Sequence, residues 1–115
     1  MVKYSVIVPL YNEEEVLLET YKRLTAVMRQ TDESYELVLV NDGSRDRTAE
    51  IAGELCSRDR RVKYIEFSRN FGHQIAISAG MDYAQGQAVI VIDADLQDPP
   101  EVILEMISEW KQGYD

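Results

Sequence analysis

Four short runs of β-branched and aliphatic residues alternate with four longer segments of helical spacing, and this alternation limits the chain to very few architectures. The runs are KYSVIVPL (Lys3–Leu10), YELVLVN (Tyr35–Asn41), VKYIEF (Val62–Phe67) and QAVIVID (Gln87–Asp93). Each is apolar without alternation, the signature of a strand buried on both faces. Between them lie EEEVLLETYKRLTAVMRQ, RDRTAEIAGELCSRD, QIAISAGMDYAQG and PPEVILEMISEWKQG. In the first, Val16, Leu17, Tyr21, Leu24, Val27 and Met28 recur at helical spacing, and three glutamates at its start suit the positive end of a helix dipole. The third is mostly apolar, which predicts a buried helix. The order βαβαβαβα predicts an α/β domain: a mostly parallel sheet with helices on both faces.

At 115 residues the chain accommodates one core and one domain, residues 1–115. It ends just after a helix, where a further strand is expected, so it reads as the front part of a longer protein. No apolar run approaches the ~18 residues of a membrane span, and no signal-peptide pattern opens the chain; a cytoplasmic location follows as the expectation. The net charge of −9 disfavours nucleic acid and anionic membrane. An anionic substrate would need a local basic group or a metal ion. Cys56 is the only cysteine, which rules out an internal disulfide and a cysteine zinc site.

In an open parallel sheet, ligands bind beyond the carboxyl ends of the strands, where the strand order reverses. The polar residues gather there: Pro9, Tyr11, Asn12 and Glu13 after the first strand, Asn41, Asp42, Gly43 and Ser44 after the second. Ser68, Arg69, Asn70, Gly72 and His73 follow the third, and Asp93, Asp95 and Gln97 end the fourth. A strand order of 3-2-1-4 makes PLYNEEE and DADLQ face each other across the crevice. Asp98-Pro99-Pro100-Glu101 reads as a capping box opening the fourth helix, with Asp98 as N-cap and Pro99 at the first helical position. Asp93, Asp95 and Gln97 have no such local role. They offer oxygen donors of the kind that hold Mg²⁺ or Mn²⁺, or else form a solvated acid loop; spacing alone leaves both open. No glycine follows the first strand and no G-K-[ST] occurs, which excludes the dinucleotide fingerprint and the P-loop. The third strand ends in EFSRN, without the aspartate of a phosphoacceptor receiver.

Four stretches in register, SVIVPLYNEEE, LVLVNDGSRDRT, SRNFGHQIAISAGMDYAQG and QAVIVIDADLQDPPEVI, resemble the nucleotide-sugar domain of family 2 glycosyltransferases, with the GT-A fold. The resemblance covers nearly the whole chain. It is strongest to the polyprenyl-phosphate branch, with its dolichol-phosphate mannose synthases and bactoprenol-phosphate glucosyltransferases of cell-envelope biosynthesis. It implies a Rossmann-like donor-binding part and a metal-dependent, inverting transfer from a UDP- or GDP-sugar to a polyprenyl phosphate. Pro9, Tyr11 and Glu13 match the motif that contacts base and ribose. Val40 and Asp42 match residues framing the base, the aspartate as acceptor. Asp93, Ala94 and Asp95 match the D-x-D motif, with Asp93 near ribose and metal, Asp95 on the metal and Gln97 as a further ligand. Arg69 falls among the donor-binding positions, and His73 stands where many relatives carry lysine. The acceptor-side base is expected beyond Asp115, as is any membrane contact, so this chain is expected to be inactive or nearly so alone. A homo-oligomer is compatible with the resemblance.

Plainer readings stand beside these. Pro9 suits a strand end, Tyr11 a half-buried loop aromatic, Asn12 or Glu13 a helix start, Asp42-Gly43 a turn pair, Ser44 a helix cap, Arg69 a solvated charge and Cys56 helix packing. A soluble family 2 transferase with a saccharide acceptor remains an alternative. A sugar-nucleotidyltransferase would want a glycine-rich, basic loop after the first strand, which PLYNEEE lacks. A regulatory domain that had lost activity would not need Asp93, Asp95 and Gln97.

Overall fold

A computed structural model describes residues 1–94 and 99–113. The elements are β1 (Tyr4–Leu10), α1 (Leu17–Arg29), β2 (Tyr35–Asn41), α2 (Thr48–Arg58), β3 (Val62–Glu66), α3 (His73–Tyr83), β4 (Ala88–Val91) and α4 (Val102–Lys111). The strands form one parallel sheet in the order β3-β2-β1-β4, as the apolar runs predict. β1 pairs along its whole length with β2, from Tyr4 opposite Tyr35 to Leu10 opposite Asn41. β4 pairs only with Tyr4–Ile7. Among the described residues no helix is long and apolar enough to cross a membrane.

Alternation along β1 and β2 divides the core. Tyr4, Val6, Val8 and Leu10 of β1, with Leu37 and Leu39 of β2, pack against Leu17, Leu24 and Met28 of α1, Ala52 and Leu55 of α2, and Ile103 and Ile107 of α4. The opposite face is smaller: Ile7, Val38 and Val40 meet Ala76 of α3. There α3 lies close to the sheet because Gly80 has no side chain; a Cβ on it would come within 2.6 Å of Ile7 Cγ2.

Four expectations need correction. The first helix begins at Leu17, and Glu13–Glu15 lie in the turn before it. The amides of Asn12, Glu13 and Glu14 are taken by Ser44 Oγ, Thr48 Oγ1 and Asp46 Oδ2, so tertiary bonds hold this segment out of the helix. The third helix is not buried: Ala76 and Gly80 are its buried residues, while Ile75, Met81 and Tyr83 are about half exposed. Only one narrow line of α3 meets the sheet, and among the described residues none covers its outer face. Likewise β4 buries Ile90 but exposes Val89 and Val91, because α3 packs over β1 and β2 rather than over β4. The fourth helix starts at Val102, led in by three-residue turns from Pro99, Pro100 and Glu101. Asp98, the expected cap, lies outside the described residues.

Glu33, in the α1–β2 connection, ties the two ends of the chain together. Its carboxylate pairs with Lys3 Nζ at 3.1 Å and Lys111 Nζ at 2.7 Å, and accepts from the Tyr4 hydroxyl at 2.7 Å. Hydrogen bonding from Lys111, then Tyr4 and Lys3, lowers the Glu33 carboxyl from 4.5 to about 2. A carboxyl lowered on folding stabilises the fold above its unfolded value, and that contribution is lost as pH falls through the folded value. Thermal melts across pH should therefore show a fall in melting temperature between pH 4.5 and about 2. Glu33→Gln should lower the melting temperature at neutral pH and flatten that fall, leaving the share carried by the similarly lowered Asp46 and Asp59.

Candidate active site

Three loops meet at the carboxyl end of the sheet, and hydrogen bonds over long sequence separations hold them. Asn12 turns the chain after β1 in a left-handed conformation, with φ 54°, which asparagine tolerates better than most residues. Its amide donates to Ser44 Oγ at 2.9 Å, and its side-chain oxygen accepts from the Arg45 amide at 2.8 Å. Ser44 in turn donates its amide to Asn41 Oδ1 at 3.0 Å. At the start of α2, Asp46 accepts from the Thr48 amide at 2.9 Å and from its hydroxyl. Burial raises the Asp46 carboxyl, but these bonds and the Glu14 amide outweigh it, and the net shift is downward. Asp46 thus ends the loop as a local cap, the role that the sequence allowed Ser44.

The third loop, residues 68–72, packs onto the turn after β2. Gly43 has φ +71°, and a Cβ there would lie 2.2 Å from the Arg69 carbonyl carbon and 2.4 Å from the Asn70 nitrogen. Asp42 is 4% exposed. Its Oδ1 accepts from the Phe71 amide at 2.7 Å and the Gly72 amide at 3.3 Å. Its Oδ2 accepts from the Gly72 amide at 3.1 Å and from Asn70 Nδ2 at 3.2 Å. Phe71 packs edge-on against Phe67, and the Arg69 guanidinium lies over the Phe71 ring at 4.7 Å.

Between β1 and β4 these loops leave a cavity of about 260 Å³. Pro9, Tyr11 and Glu13 line it from the β1 side, Asp93 and Ala94 from the β4 side, and Asp42 and His73 from the remaining wall. Seven of the residues singled out in the sequence are therefore brought together. His73 Nε2 stands 3.7 Å from Asp93 Oδ1, with both side chains about half exposed, an ion pair when the imidazole is protonated. The Ala94 carbonyl accepts from the buried Thr20 hydroxyl of α1 at 2.6 Å, which fixes the end of β4.

Two of the expected residues stand elsewhere. Val40 is fully buried in the small core under α3. Arg69 lines a neighbouring hollow of about 360 Å³, together with Tyr11, Ser44, Arg45 and Asn70. Asp95 and Gln97 lie outside the described residues. The cavity also takes in Leu10, Asn70, Gly72 and Ala76. The position of Asn70 and Gly72 after β3 puts them at the crevice, but nothing in the sequence alone marks the side chain of Asn70 as a donor to Asp42. Leu10 and Ala76 read simply as core.

Comparison with known proteins decides the family. Residues 5–115 match Glycosyl transferase family 2. The chain belongs to that family. It is 68% identical over 114 residues to an uncharacterized glycosyltransferase, YkcC, of Bacillus subtilis (strain 168), covering 99% of this chain and 35% of that protein. It is 44% identical over 113 residues to the bactoprenol glucosyl transferase of Shigella phage SfV, covering 98% of this chain and 37% of the relative. Among solved structures it resembles Staphylococcus aureus TarS 1-349 in complex with UDP-GlcNAc, with a TM-score of 0.72 and 26% identity over 96% of this chain and 32% of that one. The chain thus spans about a third of the length of these proteins.

The turn after β2 offers a direct check on this architecture. Gly43→Ala should cost about 1–3 kcal/mol for the left-handed backbone alone, and more because the 68–72 loop must move away. Urea denaturation should show that loss, and an unchanged midpoint would mean that the two loops are not in contact.

Proposed function

We propose that the cavity between β1 and β4 is the donor site of a glycosyltransferase that moves a sugar from a UDP- or GDP-sugar to a polyprenyl phosphate. The observation that carries this reading is the meeting of Pro9, Tyr11 and Glu13 with Asp93 and Ala94 around one cavity, in a family 2 chain. TarS, crystallised with UDP-GlcNAc, supports a nucleotide-sugar donor, and the bactoprenol glucosyl transferase supports a lipid-phosphate acceptor.

On this reading Tyr11, 44% exposed at the end of β1, offers its ring to the base or ribose. Glu13, beside it in the cavity, accepts from ribose hydroxyls. Asp93 points its carboxylate into the same space, with His73 opposite. Among the described residues no three acidic, histidine or cysteine side chains group closely enough to hold a metal ion. One or two carboxylates are nevertheless what Mg²⁺ or Mn²⁺ takes from a protein when phosphate oxygens and water complete the shell. Asp93, bordering a cavity that Glu13 also lines, fits that requirement. It would hold the cation together with Asp95 and Gln97, the ligands that the family resemblance implies. The bound cation would supply charge neutralisation for the leaving diphosphate. The protein's own part is to hold base and ribose so that C1 of the sugar stays open to in-line attack by the acceptor oxygen, which inverts that centre.

Titration calorimetry with UDP and GDP, with and without Mn²⁺, tests the reading once circular dichroism has confirmed the fold. Binding should weaken by about tenfold or more in EDTA, the scale of one charged contact. Asp93→Asn and Asp95→Asn should each lose the Mn²⁺-dependent part and keep a parental melting temperature. Equal affinity with and without the cation would sink the metal-dependent reading.

A further inference from the structure

Helix α1 carries one hydroxyl on its otherwise apolar buried face. Leu17, Thr20, Leu24, Val27 and Met28 are its buried residues, and Thr20 is 1% exposed. A buried hydroxyl costs free energy unless it is hydrogen-bonded, and valine would fill nearly the same volume without that cost. Within a helix, a threonine hydroxyl commonly bonds the carbonyl one turn back. Thr20 donates elsewhere, to the Ala94 carbonyl at 2.6 Å, in a buried bond that spans 74 residues of sequence. This bond sits where the sheet gives out. β4 pairs with β1 as far as Val91 opposite Ile7, and the Ile92 amide donates to the Ile7 carbonyl at 3.0 Å. Among the described residues no backbone bond from the sheet reaches Asp93 or Ala94. Ala94 packs into the core that α1 shares with the sheet. Asp93, just before it, turns its side chain to the cavity and to His73.

We infer that Thr20 is a positioning residue for the donor: its hydroxyl tethers the Ala94 carbonyl and so fixes where Asp93 presents its carboxylate to the cation and diphosphate. This rests on the cavity being the donor site. Thr20 touches neither nucleotide nor cation, because it lies on the buried face of α1. It acts through the strand end. The electrostatics show why a tether is needed there. Glu13 and Asp42 border the same cavity as Asp93, and repulsion among the three carboxylates works to drive the strand end outward. The sheet ladder no longer opposes that movement at Asp93, and the Thr20 bond does. A ligand for a divalent cation must also be held within about 0.5 Å of its productive position by groups that are themselves locked in place. Thr20 is so locked, buried in a helix that packs against β1 through Leu17 and Leu24. Removing its hydroxyl should loosen Asp93 while leaving the loops after β1 and β2 as they are.

The test uses the whole 115-residue chain, with proton NMR and titration of UDP and GDP in Mn²⁺ and in EDTA. In the parent, the buried bond should slow exchange of the Thr20 hydroxyl proton enough for it to appear in the spectrum; a hydroxyl in fast exchange with water would overturn the inference. Thr20→Val removes the donor and keeps the bulk. It should weaken Mn²⁺-dependent binding of both nucleotides by about tenfold or more, the effect of a buried carbonyl left unpaired. Residual binding in EDTA should stay at the parental level. Thr20→Ser keeps the hydroxyl and should bind as the parent does. Val27→Ala, on the same buried face of α1, controls for general loosening: it should lower the melting temperature and keep the parental affinity in Mn²⁺. Parental Mn²⁺-dependent affinity in Thr20→Val, or an equal loss in Val27→Ala, would overturn the inference. If Thr20→Val does not fold, Thr20→Ala takes its place, removing the same hydroxyl without setting a methyl group against the Ala94 carbonyl. A parent that binds neither nucleotide with Mn²⁺ would overturn the donor-site reading itself, while the Thr20 hydroxyl resonance still decides whether the tether exists.

Discussion

The site depends on a buried negative charge at the end of β2. Asp42 is almost wholly enclosed, and an enclosed carboxylate costs several kcal/mol unless hydrogen bonds saturate it. Here the saturating donors are the backbone amides of Phe71 and Gly72 and the side chain of Asn70. The loop after β3 is therefore the counterpart that makes burial of Asp42 tolerable. Gly43 permits the close approach, because any Cβ at that position would run into Arg69 and Asn70. The wall of the cavity is built from this one accommodation, and β1 is joined to it through Asn12, Ser44 and Arg45.

The same arrangement bears on how an acidic protein could hold a diphosphate. The chain carries a net charge of −9, and Glu13, Asp42 and Asp93 all border the cavity. A helix N-terminus commonly offers free amides to phosphate. At α3 the amides just ahead of the helix are already committed to Asp42. On the proposed donor-site reading, the attraction that holds the diphosphate comes from another source, and the proposed divalent cation on Asp93 would supply it. His73 adds charge there only when it is protonated.

Much of this was legible in the sequence because its signals are local. Unbroken apolar runs mark strands of a covered parallel sheet, and the polar residues at their carboxyl ends mark the crevice; Pro9, Tyr11, Glu13, Asp42, His73, Asp93 and Ala94 do meet there. What escaped depends on contacts far apart in the chain. The glutamates before α1 look like a helix start, but their amides are claimed by Asp46 and Thr48, over thirty residues away. An apolar helix reads as buried, yet apolar composition does not say what covers it, and α3 turns Ile75, Met81 and Tyr83 outward. Asp42-Gly43 reads as an ordinary turn pair, and only the folded chain brings Phe71 and Gly72 onto its carboxylate. The resemblance implies that Val40 frames the base, and the alternation of β2 buries its side chain beneath α3.

The most direct measurement is a crystal structure of this chain grown with UDP or GDP and Mn²⁺, with anomalous data collected for manganese. The account predicts the nucleotide in the cavity between β1 and β4, its base or ribose against Tyr11 and an anomalous peak beside Asp93. A nucleotide bound away from that cavity, or a manganese peak away from Asp93, would contradict it.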